Sequence, residues 1–231
     1  MMPSQQHPNR QAHNWLIYNI SDALLLKNTS IIKGVLLDLG CGKKTPYKSF
    51  FMKYAATYIG MDWQQAPIEN IDIVADLNKT LPLTDHCVDT IVSLSVLEHI
   101  KEPQQLIDEM FRLLKNEGNL IIQVPWQWSL HEMPHDYFRY TPSGLYYLLQ
   151  KSGFSEIKIT AQSGIFTTII LKINYFIKRF IPKGKYSSQL IHYTFLPFWF
   201  FGQHLAPLLD KLDRKWSYES SGYYLTATKN S

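Results

Sequence analysis

Val35-Leu-Leu-Asp-Leu-Gly-Cys-Gly42 is the stretch on which the fold turns. Its first five residues are apolar apart from Asp38, with none of the alternation of a strand that has one wet face. A short run of this kind reads as a strand covered on both sides, as in a parallel sheet. The glycines that follow bring backbone close to anything lying above the strand end, because no Cβ intervenes. Working outward, strand signals recur at 57–61, 71–75, 88–95, 119–124, 154–160 and 222–228. Helical periodicity appears at 13–27, 47–54 and 102–114, and again from Thr141-Pro142, where Thr141 is the N-cap and Pro142 takes the first helical position. Alternating strands and helices predict an α/β protein with a mostly parallel seven-stranded sheet and helices on both faces. Residues 164–216 break the alternation and read as a helical insertion before the last strand.

A chain of 231 residues is long enough for one domain with its own core. The expected division is an N-terminal helical segment (1–30), a ligand-binding core (34–163), the insertion (164–216) and the last strand (217–231). Two cysteines, Cys41 and Cys87, make no disulfide framework. The N-terminus has no apolar signal core, and the expectation is a cytoplasmic protein. A net charge of +4 with scattered basic residues is too small for a dedicated nucleic-acid binder.

Ligands of an open parallel sheet sit beyond the carboxyl ends of the strands, where strand order reverses. Four segments fall there: Asp38 to Gly42, Asp62-Trp63, Asp76-Leu77, and Ser95 to His99. Lys43, Lys44 and Thr45 stand where a dinucleotide fingerprint would carry its third glycine, which disfavours a pyrophosphate cofactor. Asp62 lies 20 residues after Gly42, a suitable place to accept hydrogen bonds from ribose hydroxyls. Trp63 beside it offers a flat face for adenine.

These segments together resemble the class I S-adenosylmethionine-dependent methyltransferases. VLLDLGCG is similar to their first motif, YIGMDW to the end of their second strand, VADLNKTLPLTDHCVDTIVSLSVLEHI to the adenine-contacting acid and fourth strand, and LIDEMFRLLKNEGNLIIQVP to the helix and fifth strand beyond. The resemblance covers about half of the chain, from Gly34 to Gly153, and departs from the usual KPGG turn at KNEG. It implies a Rossmann-like fold and S-adenosyl-L-methionine as cofactor, with S-adenosyl-L-homocysteine as product. By the same resemblance Asp38, Gly40, Cys41 and Gly42 border the methionine moiety and Asp62 holds the ribose. Trp63, Asp76 and Leu77 meet adenine, while Ser95 and His99 line the acceptor side.

After the fifth strand comes PWQWSLHEMPHDYFRYTPSGL, dense in titratable and aromatic side chains. His131 to His135 matches the H-E-x-x-H zinc motif, but Pro134 interrupts the helix that motif needs. No metal is expected on this reading, although a set drawn from His131, His135 and Asp136 stays open. Histidine suits proton removal from an attacking hydroxyl near neutral pH. His135, next to Asp136, is the first choice of base, with His131 and His99 as alternatives. Trp126, Tyr137, Arg139 and Tyr140 are the expected acceptor contacts. The segment is similar to methyltransferases associated with bacterial surface-polysaccharide assembly, which implies O-methylation of a sugar or glycan precursor.

The insertion pairs an apolar stretch at 165–181, carrying Lys172, Lys178 and Arg179, with an uncharged aromatic stretch at 187–209. Pro197, Gln203 and Pro207 argue against a membrane span. Pocket cover, a homodimer contact, and a peripheral contact with the inner face of a membrane through 165–209 all fit, the last with a lipid-linked acceptor. Two further readings stand beside the glycan enzyme: a lipid or quinone methyltransferase, and a cofactor-binding module without catalysis.

Overall fold

The computed structural model describes residues 2–66, 70–181 and 185–230, with the side chains of 185–192 outside the description. Lys183 and the Lys185 side chain, basic groups that follow Lys172, Lys178 and Arg179 in the sequence, therefore lie outside the description. Seven strands form one sheet: β1 (Val35–Leu39), β2 (Thr57–Asp62), β3 (Ile73–Val74), β4 (Val88–Leu94), β5 (Leu114–Pro125), β6 (Ser155–Ala161) and β7 (Gly222–Lys229). Their order is β3-β2-β1-β4-β5-β7-β6. β1 to β5 run parallel, and β7 is antiparallel to both β5 and β6. The order reverses at β1, whose neighbours are β2 and β4; in an open sheet of this kind the ligand crevice lies at such a reversal, beyond the carboxyl ends of the strands, here β1 and β4.

The helices are α1 (Trp15–Lys27), α2 (Lys48–Phe51), α3 (Pro103–Leu113), α4 (Pro142–Lys151), α5 (Ile165–Arg179) and α6 (Lys185–Asp210). In α3 the apolar positions Leu106, Ile107, Met110 and Leu113 are all fully buried against one face of the sheet. Leu25 of α1 joins Phe50, Phe51 and Leu36 on the other side of β1. α4 begins as its sequence indicates: the Thr141 hydroxyl accepts from the Gly144 N–H, and Pro142 follows at the first position.

Two strands depart from expectation. β3 is only Ile73–Val74, because Asp72 turns its carboxylate back to accept from the Gly60 N–H of β2. β5 starts at Leu114, so Gly118 lies inside the strand rather than ending the helical unit. A Cβ at Gly118 would sit 2.7 Å from the Lys115 carbonyl. Glycine there lets the chain kink onto β4, where the register also shifts between Val88 and Thr90.

The insertion folds back on the N-terminal segment. Gln203 of α6, fully buried, accepts from the Leu16 N–H at 2.9 Å and donates to the Ala12 carbonyl at 3.0 Å. The Asp210 carboxylate accepts from the N–H groups of Gly164, Phe166 and Thr167, the unpaired donors at the start of α5. Among the described residues, no helix is long and apolar enough to cross a membrane.

Candidate active site

The glycine turn after β1 is fastened to β2. The Gly40 and Cys41 N–H groups donate to the Met61 carbonyl, at 2.8 and 3.1 Å, and Gly42 donates to Asp62 Oδ2 at 2.9 Å. Gly40 and Gly42 have φ of +73° and +70°, where side-chain-bearing residues are strained. The two differ in surroundings. A Cβ on Gly40 would strike Val96 at 2.3 Å, while one on Gly42 would meet nothing within 4 Å. The turn is thus packed against the β4 loop on one side and faces open space on the other.

Asp62 is buried, and its other oxygen accepts from the Trp63 N–H at 2.9 Å. A carboxylate offers about four acceptor sites, so two remain after these backbone contacts, enough for a vicinal diol. Asp38 is buried under the same turn and accepts from the Tyr58 hydroxyl at 2.8 Å. Burial raises its pKa to about 7, against the lowering by that hydrogen bond and helped by the nearby Asp62 charge. Burial likewise pushes the Cys41 thiol up to about 12, with Asp38 and Asp62 adding to the shift. That thiol packs with Ala66 and Ile71 and serves as a small turn residue, not a nucleophile.

Across the crevice, Asp76 lies two positions beyond β3, whose Val74 pairs with Asp62. Its carboxylate accepts from the Asn78 N–H and side chain at 3.0 Å and is held below the usual range, chiefly by those bonds. Leu77 is buried in the main core, which leaves its backbone rather than its side chain for a ligand. Trp63 is 61% exposed and meets the His135 ring edge-on at 6.0 Å, so the β2 loop and the 126–141 loop approach each other over the crevice. Ser95 is exposed at φ +58°, with its N–H on the Gln123 carbonyl.

The 126–141 loop is organised differently from its sequence expectation. Asp136 does not pair with His135. Its carboxylate takes two hydrogen bonds from Arg139, at 2.6 and 2.7 Å, and one from the His131 N–H at 2.9 Å. Arg139 above all, then the His131 N–H, draws its pKa down to about 2. Arg139 also donates to the Ser129 carbonyl, so it braces the loop from within. Tyr140 is buried and donates to the Leu97 carbonyl at 2.9 Å. Trp126 packs on Tyr223 and the core edge. Of the four expected acceptor contacts only Tyr137 is exposed, its hydroxyl 3.2 Å from His135 Nδ1 on the rim.

Residues 131–135 are not helical, so the H-E-x-x-H spacing does not place two histidines on one helix face. The set His131, His135 and Asp136 is not assembled as a ligand group. The structure instead gathers His131, His99 and Glu98, a residue the sequence reading passed over. Its only sequence signal is a carboxylate inside the apolar run Val96 to Ile100.

Comparison with known proteins fits this geometry. Residues 37–122 match the family described as Methyltransferase domain. A Mycolicibacterium smegmatis protein described as a probable S-adenosylmethionine-dependent methyltransferase is 29% identical over 97 residues, covering 39% of this chain and 37% of that one. The chain therefore spans little more than a third of that relative. Among solved structures, an S-adenosylmethionine-dependent methyltransferase from Archaeoglobus fulgidus aligns at TM-score 0.59 and 18% identity over 91% of this chain and 94% of that one. A phosphoethanolamine N-methyltransferase of Haemonchus contortus bound to S-adenosyl-L-methionine aligns at 0.60 and 17%, over 96% and 57%. The [4+2]-cyclase SpnF aligns at 0.62 and 17%, over 100% and 88%. The fold is the Rossmann-like class I methyltransferase fold. The presence of a cyclase on it shows why the reaction must be argued from the site.

Proposed function

We propose that this chain transfers a methyl group from S-adenosyl-L-methionine to an oxygen of a small or glycan acceptor. The observation that carries this is the pairing of buried Asp62 with the Gly42 N–H beside an open glycine face at the point of strand reversal. The match of residues 37–122 and the Mycolicibacterium smegmatis relative support the same cofactor. Bound there, the cofactor supplies an electrophilic methyl carbon on a sulfonium, which leaves as a thioether when the acceptor oxygen takes the carbon. Asp62 holds the ribose through its two remaining acceptor sites. Asp38 lies under the turn, where a carboxylate can meet the amino-acid cation. Asp76 and the Leu77 backbone meet the adenine edge, and Trp63 covers it.

The acceptor side is formed by Ser95, His99 and the 126–141 loop. As it attacks, the acceptor hydroxyl gives its proton to a histidine, with His135 on the exposed rim and His131 and His99 deeper. A cavity of about 390 Å³ adjoins this loop, lined by Trp128, Ser129, Lys172, Tyr175, Phe176 and Arg179. Aromatic faces beside two cations suit a sugar carrying a phosphate, in line with a glycan precursor. Calorimetry with S-adenosyl-L-homocysteine tests the cofactor: wild type binds, and Asp62→Ala does not. A nucleotide-sugar and glycolipid methylation screen tests the reaction. Binding without turnover across that screen would favour the non-catalytic module.

A second reading rests on exposed Phe166 and Phe176 on α5, Phe180 just after it, and Phe198, Phe201 and Leu205 on α6, together with Lys172, Lys178 and Arg179 of α5. That composition suits a peripheral membrane contact and a lipid-linked acceptor or a quinone.

A further inference from the structure

Glu98 is fully buried, yet neither of its carboxylate oxygens has a hydrogen-bond partner. A buried, unpaired carboxylate is costly unless a cation or a set of donors compensates it. What faces it is a pair of imidazoles. His99 Nε2 and His131 Nε2 each lie 3.8 Å from Glu98 Oε1, too far for a hydrogen bond. The two rings are 4.8 Å apart and inclined at 76°.

The far side of each ring sets its tautomer. His99 Nδ1 lies 2.6 Å from the His135 carbonyl, which can only accept, so Nδ1 carries the proton. His131 Nδ1 faces the Ser129 carbonyl at 3.3 Å and Asp136 Oδ2 at 3.4 Å, again acceptors. In its neutral form each ring therefore turns an Nε2 lone pair toward the carboxylate. In that form two lone pairs and an anion converge with no donor between them. Histidine held from behind by a carbonyl or carboxylate, with its other nitrogen free, is the usual arrangement around a bound metal. Arg139 holds Asp136 in place for that task.

We propose that Glu98, His99 and His131 form a binding site for a divalent first-row transition ion, of the Zn²⁺ or Mn²⁺ type. The three ligand atoms all lie within 4.8 Å of one another. Metal–ligand bonds of about 2.1 Å hold tetrahedral ligands roughly 3.4 Å apart, so binding draws each carboxylate–imidazole pair together by a few tenths of an ångström and the two imidazole nitrogens by up to about 1.4 Å. Two nitrogens and one carboxylate oxygen favour a transition ion over Mg²⁺ or Ca²⁺, which prefer oxygen. Glu98 has no exposed side-chain surface, whereas His99 and His131 keep 17% and 30%. The floor of the site is sealed and its mouth is open, which leaves coordination positions for water or an acceptor oxygen. With the ion bound, His99 and His131 are ligands and proton removal falls to His135. That the oxygen belongs to a methyl acceptor rests on the function proposed above, and the ion site does not.

The test uses the full chain, stripped with a chelator and titrated with Zn²⁺, Co²⁺ and Mn²⁺ in the absence of any nucleoside. One ion per chain is expected. Co²⁺ should give visible d–d bands of a four- or five-coordinate site, and pulsed paramagnetic resonance on Mn²⁺ should show coupling to two imidazole nitrogens. Glu98→Gln and His131→Ala should each weaken binding at least tenfold, while homocysteine-cofactor affinity stays as in wild type. No binding of any of the three ions, or binding without imidazole coupling, overturns the proposal. So does unchanged affinity in both variants. The spectra are read on wild type, so a variant that fails to fold leaves the test intact. Metal binding without cofactor binding would sink the methyl-transfer reading and spare this one.

Discussion

Asp38 carries a prediction that follows from its pKa near 7. A carboxyl whose folded pKa is raised favours the folded state when protonated, so its stabilising contribution is lost as pH rises from about 4 to about 7. A bound ammonium group asks for the opposite, the ionised form. Affinity for S-adenosyl-L-homocysteine should therefore fall as pH drops below about 7, by up to tenfold per unit, and be flat above it. Calorimetry at pH 5.5, 6.5 and 8 checks this, and Asp38→Asn should remove the dependence together with much of the affinity. Asp136 titrates in the other sense. Its pKa of about 2 means its contribution is full above about 4 and is lost as pH falls toward 2. Its side chain is sealed from solvent, and Asp136→Asn would leave the half-buried Arg139 guanidinium without its carboxylate partner. A loss of about 2–4 kcal/mol in urea melts at pH 7 is expected, against little difference between variant and wild type at pH 2.

Among elements, the glycine turn and the α6 anchor are the ones whose disruption separates fold from site. Gly40→Ala forces a Cβ into Val96 at a positive φ and should lower stability and cofactor affinity together. Gly42→Ala has open space above it and the same positive φ, with a strain of about 1–2 kcal/mol. Its larger effect should be on cofactor affinity, since the methyl occupies the face the ligand needs. Parallel calorimetry and thermal melts distinguish the two. What the sequence revealed divides along the same line. Most strands, the turn, the place of Asp62 at the end of β2 and the α4 cap were legible because local chemistry decides them: apolar runs, glycine at positive φ, a Thr–Pro helix start. The 126–141 loop was not. Its sequence puts His135 beside Asp136, yet the bonds run from Asp136 to Arg139 and His131, and from His99 to the His135 carbonyl. Glu98 was hidden for the same reason, since its meaning lies in two rings brought from residues 1 and 33 positions away. β3 was overestimated because apolar periodicity does not report a neighbouring aspartate, here Asp72, diverting the ladder.

At the scale of the whole molecule, the insertion is tied to the N-terminal segment by polar contacts and leaves an apolar face outward. Gln203 and Asn174 bind the carbonyls of Ala12 and His13, and Trp15 stacks on His204 at 4.7 Å. These contacts fix α5 and α6 in place beside the cavity at Trp128. Phe180 and Phe201, and Phe176 at the edge of that cavity, are each more than half exposed, with Lys178 and Arg179 at the end of α5. Each phenylalanine buried in an interface is worth about 1.5–3 kcal/mol, and each nearby cation about 1 kcal/mol on an anionic surface. Together these suffice for reversible attachment. Flotation with vesicles containing anionic lipid should carry the protein upward at low salt and less so at 0.5 M salt. Phe176→Ser with Phe180→Ser and Phe201→Ser should return it to the bottom fraction while homocysteine-cofactor binding is unchanged, because none of the three touches the crevice above β1. Wild-type protein that stays at the bottom removes the membrane contact and leaves an acceptor that arrives through water.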